Sequence, residues 1–389
     1  MKALPYGISD FPRLMREDYY YVDKTRFIEM LERQPPYLFL IRPRRFGKSL
    51  FLAMLEAYYS IDYADRFKEL FGELYIGQHP TKRHNSYMVL RFNFSAISSK
   101  LEDVECSFSE YCCMVMKNFI LKYEHLMGND VWKVVNPDET NPRQMLSALK
   151  EYVSRTDCPR IYLLIDEYDN FTNTILSSYG QERYREKTHG EGFIRGFFNN
   201  IKDSTSNAGA AVERLFITGV SPITMDDVTS GFNIGTNISM LPEFNSVIGF
   251  SMEEMREMVS YYKSESALPA DMTVDGLIET MKPWYDNYCF SSWNLDEKVF
   301  NSDMALYFLN SYLLRKRAPE MMIDSNIRTD YNKLRHLVQI DKRFGANASV
   351  IQQIIAEGSI TAQIATSFPA EKMADTENFK SLLFYFGML

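Results

Sequence analysis

The sequence predicts an α/β fold: a mostly parallel sheet with helices on both faces. Three observations carry this. Four short apolar runs have the length and composition of buried strands: Tyr37-Leu-Phe-Leu-Ile41, Tyr87-Met-Val-Leu-Arg-Phe-Asn-Phe94, Ile161-Tyr-Leu-Leu-Ile-Asp-Glu167 and Arg214-Leu-Phe-Ile-Thr-Gly-Val-Ser-Pro222. Stretches with helical apolar spacing separate them. The first run leads through a glycine-containing loop straight into an amphipathic helix, the strand–loop–helix order of a phosphate-binding turn.

Taken in order, residues 1–36 precede the first strong strand. Tyr6-Gly7-Ile8 and Phe11-Pro12 mark turns, and a short helix carries Phe27, Ile28 and Leu31. This N-terminal segment, with Tyr21-Val-Asp-Lys-Thr25 preceding its helix, has two open uses: folding over a bound adenine, or packing on the sheet as a plain helix. A helix begins near Lys48. Tyr63 to Tyr75 reads as a second helix with Phe67, Leu70, Phe71 and Leu74 on one face. Helices are expected over 106–126 and 143–154. The polar stretch 172–192 reads as an exposed loop or frayed helix, and Phe193 to Lys202 is helical again. Ser246 to Phe250 is a candidate for the last strand. Ser251-Met-Glu-Glu254 is a capping box that opens a helix. From there the chain reads as helices and turns, so the expected division is 1–250 and 251–389. The apolar finish Phe379 to Leu389 either packs on the C-terminal domain or is followed by more chain in the natural protein, and the second is the expectation.

The totals narrow the function classes. The chain has 389 residues, 46% of them hydrophobic, and a net charge of −8. That acidic balance argues against a surface that is basic overall, as a nucleic-acid coat would be, although a local patch is compatible with it. The five cysteines include no C-x-x-C pair, which suits reduced thiols in the cytoplasm. The five histidines lack metal-ligand spacing, so no zinc site is expected. No signal-peptide run and no membrane-length apolar run is present. The aromatic segment Pro283-Trp-Tyr-Asp-Asn-Tyr-Cys-Phe290 reads as a small core rather than a ligand cage.

The chemistry concentrates in two places. In the loop Arg42-Pro-Arg-Arg-Phe-Gly-Lys-Ser49, backbone N–H groups and the helix dipole would face an anion. Lys48 would reach the β- and γ-phosphates, and the Ser49 hydroxyl would be one ligand of Mg²⁺. Arg44 and Arg45 could clamp phosphate or pair with nearby acids. The usual first glycine of such a loop is replaced by Arg42. The second place is the end of Tyr162-Leu-Leu-Ile-Asp-Glu167. There Asp166 would hold Mg²⁺ through its water shell, and Glu167, pointing the other way along a strand, would polarise the attacking water. Asp169 reads as a turn residue. Near the end of the next strand, Thr218, with Ser221 as second choice, could sense the γ-phosphate.

At these residues the chain resembles the prokaryotic AAA-ATPase-like proteins, over nearly its whole length. The resemblance rests on Tyr21-Val-Asp-Lys-Thr25, on Arg42 to Ser49, on Leu164-Ile-Asp-Glu-Tyr-Asp169, on Phe216-Ile-Thr-Gly-Val-Ser221, and on Trp284-Tyr-Asp-Asn-Tyr288 followed by Phe290. The Arg42 loop looks like this family's own version. The resemblance implies a P-loop NTPase fold of the AAA/ASCE type, followed by a helical lid and a winged-helix-like C-terminal region. It implies ATP and Mg²⁺ as cofactors, with Arg44, Arg45, Phe46, Gly47, Lys48, Ser49 and Leu50 at the nucleotide. Ser49 and Asp166 would hold the metal, and Glu167, Lys48 and Thr218 would carry the catalysis. Its members commonly end in a PD-(D/E)XK nuclease-like domain, which is expected to be absent from this sequence. ATP, nucleic acid met through the C-terminal region or the missing domain, and a homo-oligomer are the partners it suggests, with no membrane. Two readings follow: an ATPase coupled to motion of the C-terminal domain, and an ATP-dependent switch or scaffold with negligible turnover. A small-molecule kinase ranks last, since no second substrate signature is present.

Overall fold

The computed structural model describes residues 1–98, 100–188, 192–203, 210–223, 235–324 and 346–387. The chain divides into two compact units, each discontinuous in sequence.

One unit comprises Pro35–Pro43, Ser86–Asn237 and Thr329–Leu389. It holds a five-stranded parallel sheet flanked by helices, ordered β2-β3-β4-β1-β5. The strands are β1 (Tyr37–Ile41), β2 (Met88–Asn93), β3 (Ile161–Asp166), β4 (Val212–Gly219) and β5 (Thr236–Asn237). Every residue of β1 and β3 is buried, which is why these runs are continuously apolar instead of alternating. The helix Val104–Met127 buries Phe108, Cys112, Met116, Phe119 and Tyr123, spaced three or four apart. The helix Pro142–Arg155 starts where Asn141 caps it and Pro142 fits its first turn. The rings of Phe94, Phe108, Phe171 and Phe197 meet edge-on or tilted at 5.2–6.4 Å, so much of the aromatic content is core.

Two expectations change here. Most of the stretch 172–192 belongs to a regular helix, Asn170–Thr188, while 189–191 lie outside the described residues. Its buried face is carried by Phe171, Ile175, Leu176 and Tyr184, too few to show through the polar residues between them. The segment Ser246 to Phe250 forms no strand of the sheet. The Val247 N–H donates to the Phe244 carbonyl in a turn, and Gly249 sits at φ +78. The fifth strand is β5, beside β1.

The other unit comprises Met1–Gln34, Arg44–Asn85 and Ile238–Arg328. The helix Lys48–Tyr59 is buried on most sides. The expected helix over 63–75 is broken into a 3-10 turn, Ile61–Arg66, and the short helices Phe67–Phe71 and Tyr75–Gln78. Gly72 caps the first short helix, where an added Cβ would lie 2.5 Å from the Lys68 carbonyl oxygen. A separate core joins the helices Met252–Ser264, Val274–Tyr285 and Ser302–Arg315 through Met255, Met258, Tyr262, Ile278, Met281 and Phe308. In a two-stranded antiparallel ribbon, β6 (Phe250–Ser251) directly precedes the first of these helices and β7 (Val299–Phe300) comes just before the last.

The capping box at Ser251 is present in full: the Glu254 N–H donates to Ser251 Oγ, and the Ser251 N–H to Glu254 Oε2. Lys24 Nζ donates to both oxygens of the same carboxylate, at 2.6 and 2.7 Å, and to the Ser246 carbonyl. Asp23 accepts from the N–H groups of Thr25 and Tyr75, and Thr25 Oγ1 accepts from the Ile76 N–H. The segment Tyr21 to Thr25 is therefore a tie inside this unit. No described helix is long and apolar enough to cross a membrane.

Candidate functional site

The loop comes first, within its own unit. Arg44 and Arg45 are exposed, Phe46 is buried, and the backbone turns left-handed at Arg45 (φ +68) and Gly47 (φ +92). Three consecutive carbonyls of this loop are held. Asn301 Nδ2 donates to Arg44 O at 3.4 Å, and Ser302 Oγ and the Asp303 N–H donate to Arg45 O at 3.3 and 3.2 Å. The Gly249 N–H donates to Phe46 O at 3.1 Å. These donors flank the β6–β7 ribbon, just before β6 and just after β7.

A trans peptide points its C=O and its N–H to opposite sides. With the carbonyls of Arg44, Arg45 and Phe46 turned to the ribbon, the N–H groups of Arg45, Phe46 and Gly47 turn away from it. Among the described residues these three N–H groups donate no hydrogen bond. Gly47 then caps the helix Lys48–Tyr59 with no side-chain cap bond. Successive free N–H groups at left-handed turns, next to a helix N-terminus, form an anion nest. The Phe46 ring contributes packing, meeting Tyr288 and Phe290 at 4.8 and 5.4 Å. The small core expected over 283–290 holds in part: Tyr288 and Phe290 pack the loop and Tyr285 packs Phe308, while Trp284 is 49% exposed. Gly249 is required on two counts: its positive φ, and an added Cβ that would lie 2.5 Å from Val299 Cγ1.

The acidic strand end lies in the sheet unit. Asp166 closes β3 and Thr218 lies on the neighbouring β4; both are fully buried, and Thr218 Oγ1 donates to Asp166 Oδ1 at 2.7 Å. Asp166 Oδ2 accepts no hydrogen bond among the described residues, and faces Arg91 of β2 at 3.9 Å. A buried carboxylate oxygen without a hydrogen donor fits the water shell of a divalent cation. Glu167 departs from expectation. It lies past the end of β3, in a turn at φ +51, and its carbonyl accepts from the Asn170 N–H. The alternation argument for its direction does not apply, because the chain has already left the strand.

Asp169 is buried and accepts from the N–H groups of Val220 and Ser221, at 3.1 and 2.5 Å, and from Asn173 at 2.6 Å. The Tyr168 N–H donates to Thr218 O, and its hydroxyl donates to Ser221 O at 2.7 Å. Asp-Glu-Tyr-Asp after β3 therefore clasps Thr-Gly-Val-Ser at the end of β4. Gly219 must be glycine, since a Cβ there would lie 2.2 Å from the Tyr168 ring and 2.6 Å from Asp169 Oδ1.

The structure thus joins Thr218 to Asp166, and keeps Arg44 to Leu50 as one loop and helix start in the other unit. Ser221 serves the turn, its N–H given to Asp169. Sequence reasoning missed Arg91, Asn301 and Ser302. Arg91 had a signal, as the single charge inside an apolar strand. Asn301-Ser302-Asp303 had the look of a helix cap before an apolar run, but nothing announced its bonds to the loop.

The family model described as "Predicted AAA-ATPase" matches residues 5–229. A protein of Azotobacter chroococcum mcd 1, described as an uncharacterized protein in the vnfD 5' region, is 27% identical over 341 residues. The match covers 83% of this chain and 56% of that protein, so the chain spans a little over half the length of this relative.

Proposed function

The chain belongs to the AAA-ATPase-like family, and from that premise we propose that it binds ATP with Mg²⁺ and hydrolyses it to ADP and phosphate. The observation that carries the reading is the turn of the Arg44, Arg45 and Phe46 carbonyls to the ribbon, which leaves the N–H groups of Arg45, Phe46 and Gly47 for an anion. In this reading Lys48 neutralises the β- and γ-phosphates, and Leu50 belongs to the helix turn beneath them. Arg44 and Arg45, exposed at the crest, clamp phosphate oxygens. Ser49 and Asp166 are the residues that would hold Mg²⁺, which when bound supplies charge neutralisation between the phosphates. The bare Asp166 Oδ2 suits that role. Glu167 accepts the proton of the attacking water as the new P–O bond forms and the bond to the ADP oxygen breaks. Thr218, already donating to Asp166, keeps that carboxylate in place and senses the γ-phosphate.

The Arg42 N–H donates to the Gly219 carbonyl, so the chain leaves β1 at the sheet end that carries Thr218 and Asp166. Motion of the residues after 250, read as a helical lid and winged-helix-like region, is the output we propose. The test is ATP turnover with Mg²⁺ by wild type, Lys48→Ala and Glu167→Gln. Loss of the lysine should lower turnover about a hundredfold or more, as for removal of one preorganised charge-stabilising group. Glu167→Gln should bind ATP normally and turn over about a hundredfold less. Equal turnover in all three sinks the hydrolytic reading. Adding DNA, and sizing the protein with and without ATP, tests nucleic acid and self-association in the same preparation.

One observation favours the switch reading, in which ATP is bound and hardly hydrolysed. The Arg91 guanidinium stands 3.9 Å from the Asp166 oxygen that the metal shell needs. Tight ATP binding with background turnover in wild type would select it.

A further inference from the structure

We propose that Asn301 and Ser302, with the N–H groups of Asp303 and Gly249, are the positioning residues of the phosphate loop, and that through them loop occupancy is felt by the β6–β7 ribbon and the helix Ser302–Arg315. The inference rests on the reading of that loop as a phosphate cradle, and goes beyond it by naming what holds the cradle open and where its state is passed on.

A left-handed backbone at a non-glycine residue such as Arg45 persists only where the surroundings impose it. Four donors impose it here, all from two short stretches joined by the ribbon. Asn301 does two jobs with one amide. Its Oδ1 accepts from the Met304 N–H and caps the helix, while its Nδ2 donates to Arg44 O. Any shift of the ribbon therefore moves the helix start and the loop carbonyls together. Each carbonyl that turns away from the ribbon swings its partner N–H out of the nest, by the same peptide planarity. The cradle and the helix start are coupled through rigid planes, with no side chain of the helix needed in the site. Asp303 adds a charge at this junction. Burial pushes its carboxyl up from the usual carboxylate range, the neighbouring Asp324 adds to that, and the Arg45 cation pulls it back.

The decisive variant is Asn301→Asp. Aspartate caps a helix as well as asparagine does. It cannot donate to Arg44 O, and sets a negative oxygen against it. The thermal midpoint and helix content should stay at wild-type values, while Kd for a non-hydrolysed ATP analogue rises about tenfold, the cost of one lost positioning bond and the repulsion that replaces it. Ser302→Ala should raise Kd by a few-fold, and Ser302→Thr, which keeps the hydroxyl, should restore it. A second measurement does not depend on any variant folding. In wild type, amide hydrogen exchange at Gly249 and Asp303, the two N–H donors to the loop, should slow by about tenfold when the analogue binds, and show no change with analogue in Lys48→Ala. Unchanged Kd in Asn301→Asp at unchanged stability overturns the inference. So does exchange at Gly249 and Asp303 that ignores the nucleotide while wild type binds it. If wild type binds no nucleotide at all, the phosphate reading fails and takes this inference with it, an outcome distinct from the other two.

Discussion

The loop Arg44–Ser49 and the strand end around Asp166 are proposed to serve one ligand, yet they are built in opposite ways. In the loop the backbone carries the polarity. The carbonyls of Arg44, Arg45 and Phe46 are engaged by Asn301, Ser302, Asp303 and Gly249, and the N–H groups of Arg45, Phe46 and Gly47 are left over among the described residues. At the strand end the side chains carry it. There the N–H groups of Val220 and Ser221 are engaged by Asp169, and a carboxylate oxygen of Asp166 is left over. The leftovers have opposite sign. An anion is met by spare donors, a cation by a spare acceptor, and each region consumes the wrong kind of group in holding its own shape. Glycine enters both for the same reason. Gly249 and Gly219 lie where a clasping chain passes too close for a Cβ.

The largest effect that would break this comparison is at Gly219. In Gly219→Ala the new methyl would sit 2.2 Å from the Tyr168 ring, so Tyr168 and Asp169 must give way together. Overpacking and the loss of buried bonds to Val220 and Ser221 should cost about 3 kcal/mol. Chemical denaturation would show it. A cost below about 1 kcal/mol would mean that the clasp is soft and that the strand end is not held by it.

How much of this was legible in the sequence differs between the regions for a physical reason. β1, β3 and the start of the helix at Lys48 were read to the residue or nearly so. A fully buried parallel strand is a run of apolar residues, and a helix start after glycine is a local event. Thr218 beside Asp166 was also legible, because strand order puts the ends of neighbouring parallel strands together. The place of Glu167 past the strand end is not legible, since whether a strand ends at Asp166 or one residue later is settled by the Tyr168 and Asp169 bonds to the end of β4, about fifty residues away. The donors at 301–303 were illegible for the same reason. They bond the loop across more than 250 residues, and local pattern carries no trace of such a partner.

A second measurement sharpens the comparison from the side of the loop unit alone, through pH. Lys24 is buried against Glu254, and burial, only partly offset by that carboxylate, lowers its pKa from 10.5 to about 8. Between about pH 8 and 10.5 the unfolded chain holds a proton here that the folded chain has released. The group's contribution to stability therefore rises with pH across that window, by at most about 1.4 kcal/mol per unit. Denaturation at a series of pH values should show this arm, and Lys24→Met should flatten it. A profile from pH 8 to 10 that is the same in wild type and in Lys24→Met would show that Glu254 dominates and that the lysine stays charged across the window.

The smallest expected effect concerns Arg91, and it asks whether the spare oxygen of Asp166 is really spare. The guanidinium is partly exposed and 3.9 Å away, close enough to attract the carboxylate but too far for a hydrogen bond. At that distance, and screened by water, the attraction is about 1 kcal/mol. Arg91→Gln removes the charge and keeps a polar side chain of similar reach. If Arg91 competes with Mg²⁺ for Asp166, the Mg²⁺ concentration for half-maximal ATP turnover should fall about threefold to fivefold, with KM for ATP unchanged. If KM for ATP rises instead, the guanidinium reads phosphate, and the strand end shares the anion-binding task assigned above to the loop alone. The comparison between the two regions would then be one of degree, with cationic side chains contributing to both.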